Sequence, residues 1–593
     1  MNKKVSDYIF EYLRESFGVD TVFMLPGGGC MHLVDSLGKT QGVKFICNLH
    51  EQASAIGAES YAQDKNALGV CLVTAGPGST NAITGVAGAW IDSTPMLVLS
   101  GQAKVEDMMT GKGIRQMGIQ EVDTENLLKP VTKYAKCVKD ASMIRYELEK
   151  ACYLAMNGRR GPVWLDIPLD VQGATVDIDA LEGYVPAPQA EPDHTAMAQE
   201  ILAFLKQAKC PCVYAGNGIR AAGAVEEFLK LVEMLQIPVM TSWKAADFLP
   251  EDHPLFVGRP GIIAQRGANF IQQTCDCILI LGTRLDLCQT GFNAPGFAPK
   301  AKRLMVDIDI HEIEKFGVEF DGKYAADAGK IIRAMLKLVP GPLDCKDFLA
   351  KGKLWQKKYP VIPEEYCDES KVLVNLYHLT KVFGELLGEG DTFVPGSSGA
   401  CAEVTMQAIP VRKGIRIHNT PGLGSMGFGL PAAIGAAAAP DKRVVTIVGD
   451  GGLQHNIQEL ETLRRLNYNI KLFVLNNNGY GSIVNMQRGR FDGHFVASTP
   501  ESGLTLPDLE KISNAYGLPY VKISSPAALK EQVKKVFSMP GSVVCEVMID
   551  PAIPSAPRLA SRALPDGRMV SEPMENLAPF LPEEELAEIL KEE

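Results

Sequence analysis

The chain has 593 residues, of which 46% are hydrophobic and 22% charged, as in an ordinary globular protein with room for two to four domains. Its net charge of −11 excludes the basic field that attracts nucleic acid. No apolar run reaches the roughly 20 residues of a membrane span, and the first residues lack the apolar core of a signal peptide. Fourteen cysteines without a Cys-x-x-Cys pair favour reduced thiols over zinc ligands, so we expect a cytoplasmic protein.

Strand-like runs alternate with helical patterns in three successive blocks, which we place at residues 1–185, 196–345 and 370–552, followed by a tail at 553–593. The strand candidates of the first block are Thr21–Leu25, Lys44–Asn48, Gly69–Thr74, Pro95–Ser100 and Pro162–Asp166. Those of the second block are Cys212–Ala215, Pro238–Thr241, Cys277–Leu281 and Arg303–Asp307. This alternation predicts an α/β protein with three doubly wound parallel-sheet domains. The similar sizes of the blocks suggest an ancient triplication.

Glycine-rich turns follow two strands of the first block. Gly76-Pro77-Gly78-Ser79-Thr80-Asn81 is a rigid turn that can bring the backbone close to a ligand, although a structural turn explains it equally well. Pro26-Gly27-Gly28-Gly29 is similar, and three consecutive glycines suggest a close approach to another group. Glu51 stands where a third strand gives way to an Ala-rich helix. It is either a buried acid or a helix-start residue that stabilises the dipole, and the local sequence favours the second interpretation.

In the third block two polar clusters flank one βαβ unit. Asp450 follows the strand Arg443–Val448, Asn477 follows the strand Ile470–Leu475, and a helical pattern lies between them. Either cluster alone is a common turn. Together they fall at the carboxyl ends of parallel strands, where open α/β sheets bind ligands, and their oxygens suit Mg²⁺. Gly451 and Gly452 would let backbone N–H groups approach a phosphate.

This pair resembles the diphosphate-binding signature of thiamine diphosphate (ThDP) enzymes, and the resemblance extends over roughly residues 5 to 550. As a whole the chain resembles the catalytic subunit of acetolactate (acetohydroxyacid) synthase. The stretches that carry the likeness are Pro26-Gly27-Gly28, His50-Glu51-Gln52, Gly76–Asn81, Gly161–Pro168, Gly424–Gly435, Gly449-Asp450-Gly451 and Asn476-Asn477.

The resemblance assigns roles to individual residues. Glu51, Gln120 and Gly28 would form the catalytic group. The cofactor would contact Pro26, Pro77, Asn81, Gly399, Ala400, Gly424, Met426, Asp450, Gly451, Gly452, Asn477 and Gly479. Asp450, the side chain of Asn477 and the carbonyl of Gly479 would hold Mg²⁺. Within this set, Glu51 would activate the aminopyrimidine and Met426 would support the bent cofactor, although a methionine between glycines is as often core filler.

The family also implies the reaction and the assembly. A 2-keto acid donor, pyruvate, would be decarboxylated and its two-carbon unit transferred to a carbonyl acceptor. Each active site would form between the first block of one subunit and the third block of another, in a homodimer or homotetramer. A regulatory subunit is a further candidate partner. Neither nucleic acid nor a membrane is expected as a partner.

Departures from the family pattern leave alternatives open. Leu169 replaces a lysine near the substrate entry, which suggests acetyl transfer to a keto-sugar as one alternative. A simple decarboxylase and a non-catalytic paralogue are two others, although the retained Glu51, Asp450 and Asn477 argue against the last. FAD is a candidate second cofactor of the central block. There Arg284 and Gly216 are kept, whereas Asn217 interrupts a triple glycine, Arg259-Pro260 replaces Met-His, and no third glycine completes a Rossmann fingerprint.

Overall fold

Three six-stranded sheets, all of whose paired strands run parallel, form the framework of the protein. The computed structural model describes residues 2–188, 190–315, 317, 319–397, 399–438 and 442–591. Helices lie between successive strands in each sheet. The α/β prediction with three parallel-sheet domains is therefore confirmed, while the limits that we assign to the domains stay a prediction.

The first domain carries the amino-terminal sheet. Its elements are, in chain order, β1 (Asn2–Lys4), α1 (Val5–Phe17), β2 (Thr21–Met24), α2 (Met31–Lys39), β3 (Lys44–Cys47), α3 (Glu51–Lys65), β4 (Gly69–Val73), α4 (Pro77–Ile91), β5 (Met96–Gln102), α5 (Thr124–Leu128), β6 (Tyr134–Cys137), α6 (Ile144–Met156), β7 (Pro162–Pro168), α7 (Leu169–Gly173) and β8 (Thr175–Asp177).

The central domain carries the second sheet. Its elements are α8 (His194–Gln207), β9 (Pro211–Ala215), α9 (Gly218–Ala221), α10 (Val225–Leu235), β10 (Val239–Thr241), β11 (Phe256–Gly258), α11 (Arg266–Thr274), β12 (Cys277–Leu281), α12 (Leu287–Thr290), β13 (Lys302–Asp307), α13 (Ile310–Glu314), β14 (Gly322–Ala325), α14 (Ala328–Leu338) and α15 (Lys346–Lys358).

The third domain and the tail complete the chain. Their elements are α16 (Leu376–Leu386), β15 (Thr392–Pro395), α17 (Ala400–Ala408), β16 (Arg416–Ile417), α18 (Gly429–Ala436), β17 (Val444–Gly449), α19 (Asp450–Leu453), α20 (Glu459–Leu466), β18 (Ile470–Asn476), α21 (Gly481–Arg490), α22 (Leu509–Ala515), β19 (Tyr520–Ile523), α23 (Leu529–Ser538), β20 (Val543–Met548), β21 (Ser561–Ala563), β22 (Met569–Ser571) and α24 (Glu583–Leu590).

The strand orders relate two of the three sheets. The first sheet runs β3-β2-β4-β5-β7-β6 and the third β16-β15-β17-β18-β20-β19, which is the same pattern when each is numbered from its own first strand. The central sheet runs β11-β10-β9-β12-β13-β14, the order 3-2-1-4-5-6 of dinucleotide-binding folds. The shared strand order supports a common origin of the first and third domains. It gives no such support for the central domain.

The first and third domains pack against each other through helices α3 and α18. Both helices are rich in small residues, so their backbones approach closely, and a Cβ added at Gly435 would lie 2.3 Å from the Gly57 carbonyl oxygen. Nearby, Glu459 Oε2 accepts a hydrogen bond from Asn48 Nδ2 at 2.9 Å and its Oε1 accepts one from the Leu49 N–H at 2.8 Å. A single apolar core therefore runs from the first sheet into the third.

Two predictions about composition can be compared with the fold. None of the described helices combines the length and the apolar character that crossing a bilayer requires. The cysteines in the central sheet are packed as expected, since Cys212, Cys275 and Cys277 are buried, although Cys210 is half-buried. Burial raises the pKa of the Cys277 thiol to about 12, which keeps it protonated.

Candidate active site

Two motifs of the first domain meet at the switch point of its sheet. The chain leaves β2 toward β3 and returns to β4 on the other side of β2, so a crevice opens at the carboxyl ends of β2 and β4. The segment Pro26–Gly29 follows β2, and Gly76 and Pro77 follow β4. The Gly29 N–H donates to Thr74 Oγ1 at 3.1 Å and thereby joins the two loops. The sheet topology thus brings together motifs that are about 50 residues apart in sequence.

Glu51 lies beside this crevice as the first residue of α3. Its side chain is buried, with 7% exposed, and Oε2 accepts a hydrogen bond from Asn81 Nδ2 at 3.0 Å. A Cβ added at Gly78 would lie 3.6 Å from Oε1, so the carboxyl points at the first turn of α4. Pro77 and Asn81 are exposed on that turn. Three residues predicted separately therefore form one group with a buried acid at its centre.

The three glycines after Pro26 have different reasons to be glycine. A Cβ at Gly27 would lie 2.5 Å from Thr74 Cβ, and one at Gly29 would lie 2.9 Å from the Cβ of Ala75. The close approach at those two positions is therefore to the protein's own residues Thr74 and Ala75. Gly28 differs, because a Cβ there would meet nothing within 4 Å. Pro26 and Gly28 are both exposed, so this part of the loop is open.

Gln120 contacts the same group through its backbone. Gly76 has a φ of +60°, and a Cβ there would lie 2.2 Å from the Gln120 carbonyl oxygen. Gln120 itself has a φ of +58°, which is uncommon for a residue other than glycine. Its side chain is exposed. The backbone of Gln120 is thus held against Gly76, next to Pro77, while its side chain is exposed.

Glu121, which no local motif marks, organises the loop that carries Gln120. This loop, residues 103–123, joins β5 to α5. Glu121 is 2% exposed, and its Oε1 accepts a hydrogen bond from the Met109 N–H at 2.6 Å. Its Oε2 accepts bonds from the N–H groups of Met117 at 3.1 Å and Gly118 at 2.9 Å. One carboxylate therefore closes the loop, a role that only the folded chain reveals.

A buried network beneath the loop was also not predicted. Asp166 on β7 accepts hydrogen bonds from Ser100 Oγ at 2.6 Å and from Gln102 Nε2 at 2.8 Å. Gln102 Nε2 also donates to the Val122 carbonyl at 3.1 Å, which connects the network to the end of the 103–123 loop. Burial raises the pKa of Asp166 to about 7, against the lowering effect of its donors. The Gly161–Pro168 motif thus supplies support for the Gln120 loop.

A cavity of about 20 Å³ opens at the switch point of the third sheet, between the carboxyl ends of β15 and β17. Met426 lines it and is half-buried, and all the described residues around it belong to the third domain. Gly424, two residues before Met426, has a φ of +66°, and a Cβ there would lie 3.3 Å from the Ser397 carbonyl oxygen. The Glu51 group of the same chain does not contribute to this cavity.

Asp450 is fixed at the end of β17 by backbone donors. Its Oδ1 accepts from the Gly451 N–H at 2.8 Å, and its Oδ2 accepts from the N–H groups of Asn477 at 3.2 Å and Gly479 at 3.4 Å. The residue is 8% exposed, and burial raises its pKa to about 6 although these donors oppose the shift. A cation beside the carboxylate would favour its ionised form.

Asn477 supplies an oxygen that lacks a partner. Its Oδ1 is buried and accepts no hydrogen bond from the described residues, which costs roughly 1–3 kcal/mol for a polar group. Its backbone N–H is bonded to the Asp450 carboxylate, so the two side chains are neighbours. Within the described part of the chain, no cluster of three or more His, Cys, Asp or Glu could hold a metal. The donors here are instead a carboxylate, an amide and a backbone carbonyl, a set that suits Mg²⁺ with added phosphate oxygens.

The remaining predicted contacts of the third domain divide into two kinds. Gly451 is glycine because a Cβ would lie 2.4 Å from the Tyr480 ring, and its N–H already donates to Asp450. The contact of this N–H with a phosphate stays a prediction. Gly452 lines the cavity, and a Cβ there would meet nothing within 4 Å.

Gly399 and Ala400 lie at the start of α17, next to the start of α21. Gly399 has a φ of +59°, and a Cβ there would lie 2.3 Å from Ser482 Oγ. Ala400, the first residue of α17, is half-buried. The two helix starts therefore pack side by side, and glycine is the only residue that fits between them.

The motifs of the central domain are occupied by protein contacts. A Cβ at Gly216 would lie 2.3 Å from the Gly282 carbonyl oxygen, and the Gly218 N–H donates to that oxygen at 2.8 Å. The switch point between β9 and β12 is thus closed by backbone. Arg259 is fully buried and donates to Glu251 at 3.1 Å and to the Ile409 carbonyl at 2.9 Å. These residues do not form an open cradle for a dinucleotide.

Family models match all three domains. Residues 3–127 match the thiamine pyrophosphate enzyme N-terminal TPP binding domain, residues 198–335 its central domain and residues 397–547 its C-terminal TPP binding domain. The two outer matches contain Glu51 and the Asp450–Asn477 pair respectively. Thiamine diphosphate is therefore the cofactor of this fold.

Full-length relatives agree with the domain matches. The acetolactate synthase large subunit of Lactococcus lactis is 32% identical over 92% of this chain and 92% of its own length. Isozyme 3 of the acetolactate synthase large subunit from Escherichia coli is 33% identical over 88% of this chain and 90% of its own. A probable acetolactate synthase large subunit of Methanocaldococcus jannaschii is 31% identical over 94% and 93%. None of these three favours the keto-sugar, decarboxylase or non-catalytic alternatives.

Proposed function

This chain belongs to the acetolactate synthase large-subunit family of thiamine pyrophosphate enzymes, and we propose that it decarboxylates pyruvate and joins the two-carbon unit to a second 2-keto acid. The observation that carries the proposal is the Asn477 oxygen, which has no partner among the described residues and lies next to the Asp450 carboxylate. Gly449 and Gly452, on either side of Asp450 in the sequence, line the cavity that Met426 also lines. When bound, thiamine diphosphate supplies the carbon nucleophile for the 2-keto acid. The protein would bind the cofactor through Asp450 and Asn477, hold a proton on Glu51 and keep water away from the reacting atoms.

Glu51 is the proton-holding residue in this proposal. Asn81 occupies Oε2, so Oε1 is the atom left to bond a ring nitrogen of the aminopyrimidine. Burial beside α4 keeps water from competing for that oxygen, and a positioned acid of this kind contributes about 10²–10⁴-fold to a rate. Gln120 and Gly28, exposed at the same crevice, would border the reacting atoms.

The variant Glu51→Gln tests this role. We expect it to retain Mg²⁺ and ThDP binding by calorimetry but to lose exchange of the cofactor's C2 proton, followed by NMR, and acetohydroxyacid formation, followed by mass spectrometry. Glu59→Gln is the matched control, because Glu59 is buried in the same helix two turns further on and should keep its activity. Near-normal turnover by Glu51→Gln would refute the assignment.

We propose that Mg²⁺ would be held by the Asp450 carboxylate, the Asn477 side-chain oxygen and the Gly479 carbonyl. Asp450→Ala and Asn477→Ala should each weaken Mg²⁺-dependent ThDP binding at least 10-fold, because each removes one of few protein ligands. Asn485→Ala, on the exposed face of α21, is the control that should leave the affinity unchanged. Unaltered ThDP affinity in Asn477→Ala would show that the orphan oxygen has another purpose.

We further propose that the active site forms between two copies of the chain. Two observations support this: the Met426 cavity is lined from the third domain alone, and apolar side chains stay exposed beside both groups. Ile114, Met117 and Ile119 are exposed in the 103–123 loop, and Ile483, Met486 and Phe491 on and just after α21. Ile119 in particular is 90% exposed. A homodimer that pairs these surfaces would bring Glu51 of one copy to the Asp450 of the other.

Mixing two inactive variants distinguishes this arrangement from a site within one chain. In a dimer of Glu51→Gln with Asp450→Ala, one shared site carries both changes and the other carries none. Co-expression at equal levels should therefore restore about a quarter of the wild-type activity, given random pairing of symmetric copies. No recovery despite verified mixed dimers would place the site within a single chain.

FAD and a small subunit are separate questions. Backbone atoms fill the crevice between β9 and β12, and Arg259 is already bonded to Glu251 and the Ile409 carbonyl. These residues therefore do not fit a dinucleotide, and no step of the proposal requires FAD. A yellow purified protein with flavin absorbance would contradict that view. The relatives are named as large subunits, which supports a regulatory small subunit as partner, and co-purification with a tagged candidate small subunit would test it.

A further inference from the structure

A second cavity lies where the three domains meet, away from the site described above. It has a volume of about 30 Å³, enough for roughly two water molecules or one small ion. Its wall includes Gln63, in the last turn of α3, and Asn66, the residue directly after that helix. Gln63 is 12 residues from Glu51 along α3, which corresponds to about 18 Å at 1.5 Å per residue. The cavity is therefore separate from the Glu51 crevice.

Four cations line this cavity, one or two from each domain. They are Arg160 from the first domain, Arg220 and Lys244 from the central domain, and Arg416 from the third. No aspartate or glutamate is among the lining residues. The side chains of Arg220, Lys244 and Arg416 are 16%, 13% and 24% exposed, so little bulk water screens their charges.

The carboxylates behind the wall neutralise only part of this charge. Asp247 bonds to Arg220 at 2.9 Å and also to Arg416, so one carboxylate serves two guanidiniums. Although burial opposes ionisation of Asp247, these two arginines hold its pKa at about 2. Asp92 lies 3.5 Å from the Lys244 ammonium. Among the described residues, these are the two carboxylates within 4.0 Å of the four cations, while Asp64 and Asp327 attract Arg220 and Arg160 from farther away.

Arg160 is the cation with no carboxylate in direct contact among the described residues, since Asp327 acts on it only from a distance. Among the described residues, no carboxylate lies within 4.0 Å of it, and its Nη1 donates to the Asn66 side-chain oxygen at 3.0 Å and to the Asn66 carbonyl at 3.3 Å. Burial lowers the pKa of its guanidinium, which shows the cost of enclosing this charge. A half-buried arginine that lines a small polar cavity and whose bonded partner is the neutral Asn66 is an incomplete ion pair.

We propose that this junction cavity binds a small free oxyanion of the inorganic phosphate type, with Arg160 as its principal ligand. An anion suits a wall with four cations and no carboxylate among its described residues, and planar guanidiniums suit tetrahedral oxyanions. Asn66, Ser93 and Thr94 add neutral polar groups to the wall. Because the cavity wall belongs to all three domains, the bound ion would stabilise their association and bind the folded chain only.

The test uses the full-length protein saturated with Mg²⁺ and ThDP, so that the diphosphate site is filled. Sodium phosphate is titrated against sodium chloride at matched ionic strength, with the unfolding temperature and calorimetric heat as readouts. We expect one phosphate per chain and a rise of about 1–3 °C in the wild type. Arg160→Gln should lose both, Arg160→Lys should keep part of the response, and Arg412→Gln, an exposed arginine, should behave as the wild type.

Other results would overturn the proposal. An equal rise in Arg160→Gln and the wild type would place phosphate elsewhere, and calorimetry of the wild type without saturable heat would exclude the site even if Arg160→Gln failed to fold. AMP serves as a bulky phosphate ester that a cavity of this size should not admit. If AMP stabilised the wild type as strongly as phosphate, the assignment to a small free ion would be wrong.

Discussion

The Glu121 carboxylate makes a quantitative prediction for the 103–123 loop. In Glu121→Gln the remaining oxygen can still accept from the Met109 N–H, but the new NH₂ group faces the N–H groups of Met117 and Gly118. Two bonds to a charged acceptor are lost, at about 1.5 kcal/mol each, so the loop should be destabilised by about 3 kcal/mol. Opening of the loop then becomes roughly 150-fold more frequent.

Hydrogen exchange of the native protein measures this opening. The amides of Met117 and Gly118 should exchange roughly 150-fold faster in Glu121→Gln, whereas amides of β5 should be unaffected. Glu106→Gln, an exposed glutamate in the same loop, is the matched control. Unchanged protection of the two amides in Glu121→Gln would refute the reasoning, because it would mean that something other than this carboxylate closes the loop.

Two further predictions concern buried charges. Burial raises the pKa of Glu59 to about 8, above its value in the unfolded chain, so the folded state keeps a proton that the unfolded state releases and stability falls as pH rises toward 8. Glu59→Gln should therefore be nearly neutral at pH 5 and increasingly stabilising toward pH 8 in thermal unfolding, and a pH-independent difference would contradict this. Arg259→Met should cost about 1–3 kcal/mol, because the buried Ile409 carbonyl loses its side-chain donor while Glu251 keeps the bond from Gln265 Nε2. Chemical denaturation checks it against Arg412→Met, and equal midpoints would show that the buried arginine contributes little.

The sequence predicted the elements well wherever β-branched, apolar runs ended in glycine-rich turns. Cys277–Leu281 was placed to the residue, and Thr21–Met24 and Gly69–Val73 differ from their predictions by one residue. The switch-point motifs were located because a parallel sheet puts the ends of its strands at one edge. Strand order could not be read in this way, since nothing local distinguishes the central sheet from the other two.

Residue roles were predictable only in part, for a physical reason. Glu51 and Asn81 lie in separate motifs, and their hydrogen bond follows from helix packing rather than from spacing. Gly451 was assigned to a phosphate because glycine permits close approach, and the folded chain adds a second reason for the glycine, the nearby Tyr480 ring. Glu121 and Asp166 were missed because their partners are backbone and buried polar groups, which no motif encodes.

The contact between Gly57 and Gly435 limits how the enzyme can move. Two helices whose main chains touch cannot slide or swing apart without opening a gap along a core that both domains share. Hinged movement of the first domain against the third domain of the same chain is thereby excluded. Short segments can still move, and one of them is the Gln120 loop, which the Glu121 carboxylate closes and which Gln102 ties down at the Val122 carbonyl.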